Sequence, residues 1–140
     1  MKLKIFLIAK KKLIKRIECK EMQFRYYQDK AERCTANYNP VVGYNESPEL
    51  QTMEYAIIEM SEIEKELTRD KQLLKVLNKE FEKCVKRLHN PKFELLLTMK
   101  YVDECTWSQM EQVLDRSRTQ LHRYLKEAVK AFDALAEKEK

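Results

Sequence analysis

Residues 47–88 read SPELQTMEYAIIEMSEIEKELTRDKQLLKVLNKEFEKCVKRL, and this stretch decides the architecture. One heptad position holds Met53, Met60, Leu67, Leu74, Phe81 and Leu88; the position three residues later holds Ala56, Ile63, Asp70, Leu77 and Cys84. Asp70 is the one polar residue in these two rows. Apolar residues at this spacing fall on one face of a helix and form a coiled-coil seam. Ser47 provides an N-cap, Pro48 a first helical residue that needs no donor, and Glu49 an acid at the positive end of the helix dipole. With no internal Gly or Pro, the spacing predicts one helix over about 48–88, roughly 60 Å long. Such a helix must pack its seam against a partner.

The partner lies upstream. Phe6, Ala9, Leu13, Ile17, Phe24, Tyr27, Ala31 and Cys34 follow 3–4 spacing, interrupted only by Lys20. The segment between the helices, about 37–47, is rich in breakers: Asn37, Asn39, Pro40, Gly43 and Asn45, with Pro48 just beyond. The expected fold is all-α, with helices over about 3–36 and 48–88 forming a long antiparallel hairpin, a coiled-coil-like stalk. Residues 1–89 then make up the hairpin and oligomerisation region. Two apolar stripes in one hairpin leave surface over, so a homo-oligomer is expected, a dimer first.

Composition supports the helical reading. Of 140 residues, 36 % are charged and only one is Gly and three are Pro, too few breakers for a strand-and-turn fold. The net charge of +5 is unevenly placed: +7 over residues 1–40, −2 over 41–90 and zero over 91–140. No apolar run reaches the ~18–20 residues of a membrane span, and the opening MKLKIFLIAKKK has five consecutive apolar residues before a lysine triplet. It reads as neither a signal peptide nor an anchor, so no membrane partner and a cytoplasmic location are expected. The alternative for the first helix is a membrane-surface amphipath, since Lys10, Lys11, Lys12, Lys15 and Arg16 flank aliphatics.

Catalytic and metal motifs are absent. Cys19, Cys34, Cys84 and Cys105 form no ligand pair with one another or with His89 and His122. They read as reduced thiols, Cys34 and Cys84 as fillers in the seam. There is no phosphate loop, nucleophile elbow or His–Glu metal motif. The expectation is a protein that is not an enzyme and uses no metal or cofactor.

The last fifty residues, 90–140, change character. Asn90-Pro91 ends the long helix and caps another through Phe93, Leu96, Leu97 and Tyr101. Two capping boxes follow, Thr106-Trp107-Ser108-Gln109 and Ser117-Arg118-Thr119-Gln120, so two helices begin eleven residues apart. A short helix, a tight turn at Asp115 and Arg116, and a longer helix make a helix-turn-helix outline. On the second helix Arg118, Thr119, His122, Arg123, Lys126 and Lys130 share a sector of about 140°, opposite the apolar row. Between Arg116 and Lys130 five residues are basic and one, Glu127, is acidic. Long donors on the leading turns of such a helix suit base edges and flanking phosphates of double-stranded DNA.

The segment LLLTMKYVDECTWSQMEQVLDRSRTQLHRYLKEA resembles the −35-reading helix-turn-helix of sigma factors, and more closely the ArpU/RinA-like phage regulators. Leu97, Tyr101, Val102, Asp103, Thr106, Trp107, Met110, Val113, Leu114, Ser117, Leu121 and Leu125 carry the likeness. In those regulators the module follows a long helical half, as it would here. Three positions depart from the pattern: Glu111 stands for a small residue, Asp115 for the turn glycine and Arg116 for an apolar residue. Asp is among the residues that best tolerate the left-handed conformation. The resemblance implies activation of late phage genes with host RNA polymerase, in the bacterial cytoplasm. On it, Arg118, Thr119, His122 and Arg123 are assigned to base edges, and Arg116, Gln120, Lys126 and Lys130 to phosphates. Leu97, Tyr101, Trp107, Met110, Val113, Leu121 and Leu125 are the expected trihelical core. Two other readings stand beside this one. The chain could be a coiled-coil protein binding polymerase or a regulator without reading DNA, which the zero net charge of residues 91–140 favours. Or the basic first helix could hold nucleic acid or membrane.

Overall fold

The computed structural model describes residues 1–37 and 48–138, so the Ser47 cap and the turn-rich stretch after Asn37 lie outside the described residues. The described chain is all-α, with a long helix pair followed by smaller helices: α1 Leu3–Asn37, α2 Pro48–Lys86, α3 Pro91–Leu97, α4 Trp107–Leu114 and α5 Arg118–Lys138. A π-helical turn, Thr98–Val102, continues directly from α3. No described helix is long and apolar enough to cross a membrane. The chain divides into two compact units, one of Lys12–Leu74 and one of Met1–Lys11 with Lys75–Lys140. This boundary differs from the division at residues 89 and 90 read from the sequence, because the start of α1 and the end of α2 fold with the last fifty residues.

In the unit Lys12–Leu74, α1 and α2 run antiparallel. Arg16 pairs with Asp70, Lys20 with Glu66 and Asp70, and Tyr27 meets Tyr55, so partners on α2 fall in number as those on α1 rise. Ile17, Ile63 and Leu67 are buried, with Phe24, Tyr27 and Leu74 packed against them. Asp70, only 2 % exposed, sits in this seam. Its carboxylate accepts from Arg16 Nη2 at 2.6 Å, Arg16 Nε at 3.2 Å and Lys20 Nζ at 2.7 Å. The polar break in the α2 seam and the break in the α1 stripe therefore satisfy one another. Hydrogen bonds from Arg16, then Lys20, hold the Asp70 carboxyl at about 2, against the opposing effect of burial.

The other unit is organised by Phe81, which is fully buried. Phe6 of α1 stacks on it at 4.2 Å, Phe132 of α5 lies at 5.2 Å and Tyr101 of the π turn meets it edge-on at 6.4 Å. Leu3, Val85, Leu96, Leu97, Met99, Met110, Leu121, Leu125 and Ala128 complete the buried core. Leu3, Phe6 and Lys10 follow 3–4 spacing, which turns one face of the first α1 turns to it. The Leu3 amide donates to Asp133 Oδ1 at 3.0 Å, and Lys2 pairs with Glu137 at 3.2 Å. Just past Val85 of this core, α2 stops at Lys86, two residues short of the expected end. His89 turns left-handed at φ 52°, yet Leu88 still packs on the core from the turn.

Two measurements test this packing. Asp70→Asn should destabilise the chain by about 1–3 kcal/mol near neutral pH, because Lys20 keeps its half-buried charge with only the longer Glu66 pair left to it. The Asp70 contribution is present above the ordinary carboxylate value of 3.8 and is lost as pH falls through about 2. Thermal melts should therefore drop more over that acid range in the wild type than in Asp70→Asn. Phe6→Ala removes a whole ring from the stack and should cost about 3–5 kcal/mol in a denaturant titration; a loss under about 1 kcal/mol would mean that Phe6 packs loosely.

Candidate nucleic-acid interface

The helices α3, α4 and α5 owe their limits to local hydrogen bonding. Asn90 Oδ1 accepts from the Lys92 and Phe93 amides at 3.2 and 3.4 Å, and Pro91 takes the first helical position. The expected helix through Tyr101 keeps its α form only to Leu97; the π turn follows, and Asp103 N–H donates to the Thr98 carbonyl at 3.0 Å. Lys10, buried at 6 % exposure, closes the end of that turn. Its ammonium donates to the Tyr101 carbonyl and, at 3.4 Å, to that of Val102. It also pairs with Glu104 at 3.5 Å. A cation there meets the carbonyls a helix leaves unpaired at its C-terminal end.

Thr106 then caps α4 in a complete capping box: Gln109 N–H donates to Thr106 Oγ1 at 3.2 Å and Thr106 N–H donates to Gln109 Oε1 at 2.9 Å. Asp115 ends α4 in the left-handed conformation, φ 51° and ψ 48°, as its tolerance of that region allows. Ser117 Oγ accepts from the Gln120 amide at 3.3 Å, and α5 starts at Arg118. The short helix, tight turn and long helix are thus in place.

The small core departs from expectation at one residue. Leu97, Met110, Leu121 and Leu125 are buried, and Tyr101 and Trp107 are partly buried, but Val113 is 66 % exposed. At 100° per residue, Trp107, Met110 and Leu114 lie within about 60° of arc on α4, and Val113 falls outside it. A helix of two turns buries only one such row.

All eight residues assigned to DNA are exposed: Arg116, Arg118, Thr119, Gln120, His122, Arg123, Lys126 and Lys130. Two are held by neighbours. Arg118 Nε donates to Glu111 Oε1 at 2.8 Å and its Nη2 to Ser108 Oγ at 3.4 Å. The His122 ring lies over Trp107 at 3.9 Å, and Lys100 Nζ stands 4.4 Å from the same indole. Arg116, Arg123, Lys126 and Lys130 form no ion pair among the described residues. Sequence reasoning missed Glu111 as the anchor of Arg118 and Lys100 as a neighbour of Trp107. The signal for the first was opposite charge seven residues apart across a three-residue turn. Among the described residues, no group of three His, Cys, Asp or Glu side chains could hold a metal ion.

A family model described as a protein of unknown function, DUF1492, matches residues 50–133. The chain belongs to this family. The matched span takes in most of α2, all of α3 and α4, and most of α5. No curated protein and no solved structure matches.

The turn is open to a direct test. Asp115→Gly should leave stability unchanged or raise it by up to about 1 kcal/mol, since glycine meets no steric cost at positive φ. Asp115→Val should cost about 1–2 kcal/mol, the penalty for a β-carbon in the left-handed region. Equal melting temperatures for the two variants would place Asp115 outside that conformation in solution.

Proposed function

We propose that this chain is a sequence-specific DNA-binding regulator of transcription that lays α5 in a major groove. The observation that carries the reading is the outer face of α5: Thr119, Arg123, Lys126 and Lys130 are exposed on a helix introduced by a capped short helix and a left-handed turn residue. Thr119 and Arg123 lie in the first two turns, where side chains reach base edges. Lys126 and Lys130 lie further along, where a helix crossing the groove nears the backbone, and Arg116 flanks the start. The resemblance to ArpU/RinA-like regulators supports late phage genes as the target and host RNA polymerase as a second partner. In this reading the protein is cytoplasmic, is not an enzyme and needs no cofactor.

The test begins with selection of bound fragments from random duplex DNA, using the full chain. Arg123→Ala should then weaken the selected site by about 1–3 kcal/mol and random duplex far less, because a guanidinium can satisfy both acceptors of a guanine. Lys126→Ala should weaken every duplex alike and lower the slope of log affinity against log salt by about one. If neither substitution changed duplex binding while either abolished capture of a protein partner, the module would be a protein-recognition device.

A further inference from the structure

The hairpin unit carries an apolar patch that its own packing leaves uncovered. Met22 and Tyr26 stand one turn apart on α1, and Tyr55 and Ile58 nearly one turn apart on α2; the four are 52 to 68 % exposed. The Tyr27 ring joins the two rows, with Tyr26 edge-on to it at 5.2 Å and Tyr55 at 6.2 Å. Tyr26, Tyr27 and Tyr55 therefore share one flank of the hairpin, and Met22 and Ile58, each the better part of a turn along from Tyr26 and Tyr55, extend it outward round the two helices; tyrosine, methionine and isoleucine are residue types suited to an interface.

The charges beside the two rows differ in sign. On α1, Arg33 lies one heptad beyond Tyr26, and Lys30 Nζ stands 5.9 Å from the Tyr26 ring, with Asp29 between them in sequence. On α2, Glu62 lies one heptad beyond Tyr55, and Glu59 one turn after it. Beside the two tyrosines α1 thus brings Lys30 and Arg33 and α2 brings Glu59 and Glu62, while Asp29 and Lys65 lie one heptad beyond Met22 and Ile58. Such a surface complements itself: a two-fold axis can set α1 of one molecule against α2 of another, joining opposite charges around the apolar centre.

We propose that a second copy of this chain docks on this flank, hairpin against hairpin, in a four-helix contact centred on Tyr26, Tyr55 and Ile58. The proposal rests on the hairpin alone and stands apart from the reading of α5. Sedimentation of the full chain should show a dimer. Tyr26→Lys with Ile58→Lys should raise its dissociation constant by about tenfold or more, with helical circular dichroism unchanged because both positions are exposed. Arg33→Glu should weaken the dimer at low salt, and adding Glu62→Lys should restore it. Should a variant lose helicity, hydrogen exchange on the wild type decides instead: protection that grows with protein concentration at residues 22–33 and 55–62 supports the contact. A monomer at the highest concentration reached, a dimer indifferent to the lysine pair, or a charge reversal that restores nothing would overturn it.

Discussion

The unit that carries the candidate interface depends on one aromatic ring. Phe81 takes a stacked ring from α1, a tilted ring from α5 and an edge from the π turn, so three separate parts of the chain meet on one side chain of α2. About fifty residues with two short helices and one longer one bury little apolar surface, and small cores are correspondingly marginal. Here the shortfall is met from outside the trihelical segment, by Leu3 and Phe6 of α1 and Phe81 and Val85 of α2. Lys10 adds a polar tie of the same kind, because the carbonyls it caps belong to the π turn that leads to α4. The surface that α5 presents thus rests on residues more than a hundred positions earlier in the chain.

The hairpin uses a different constraint. Burying the Asp70 carboxylate costs desolvation, which its pairing with half-exposed Arg16 and partly buried Lys20 offsets, so the net stability it adds over an apolar residue of similar volume is small. What Asp70 contributes is register. A slip of one heptad would exchange Arg16 and Lys20 for Ala9 and Leu13, or for Gln23 and Tyr27, leaving a carboxylate in the seam without a cation. That state costs several kcal/mol. A single polar position in an apolar seam specifies alignment in this way.

The helices were legible because their signals are local. Heptad rows, Pro48, Asn90-Pro91 and the Thr106 box fix where helices lie, and each is contained within a few residues or one repeat. Asp115 was legible too, since side-chain chemistry restricts what can stand at a left-handed turn. The partners of the breaks were not. Lys20 and Asp70 each stood out as an interruption, yet their meeting needs the antiparallel register, which periodicity alone leaves open. The same holds for Lys10, which looked like one of several surface lysines and is buried because it follows Phe6 on the face that meets the core. The π turn has no sequence signature, as α and π forms differ by one residue in hydrogen-bond spacing. Val113 was misjudged because apolar character was read without the two-turn length of α4.

The side chains assigned to the interface differ in their freedom, and this bears on where specificity would reside. Glu111, where the motif this segment resembles keeps a small residue, is accommodated because its carboxylate takes the guanidinium of Arg118 across the turn. That contact holds the leading arginine of α5 toward α4. Moving it to a base edge would exchange a charge-assisted hydrogen bond for another. His122 is placed by Trp107, so its ring has a fixed partner. Among the described residues Thr119 and Arg123 carry no such tether, and of the two only Arg123 has the reach and the paired donors that distinguish one base pair from another. In the proposed reading, then, discrimination concentrates on Arg123, while the Glu111–Arg118 pair stiffens the turn between α4 and α5. A departure that looks like a flaw when the motif is matched residue by residue becomes part of the support for the surface beside it.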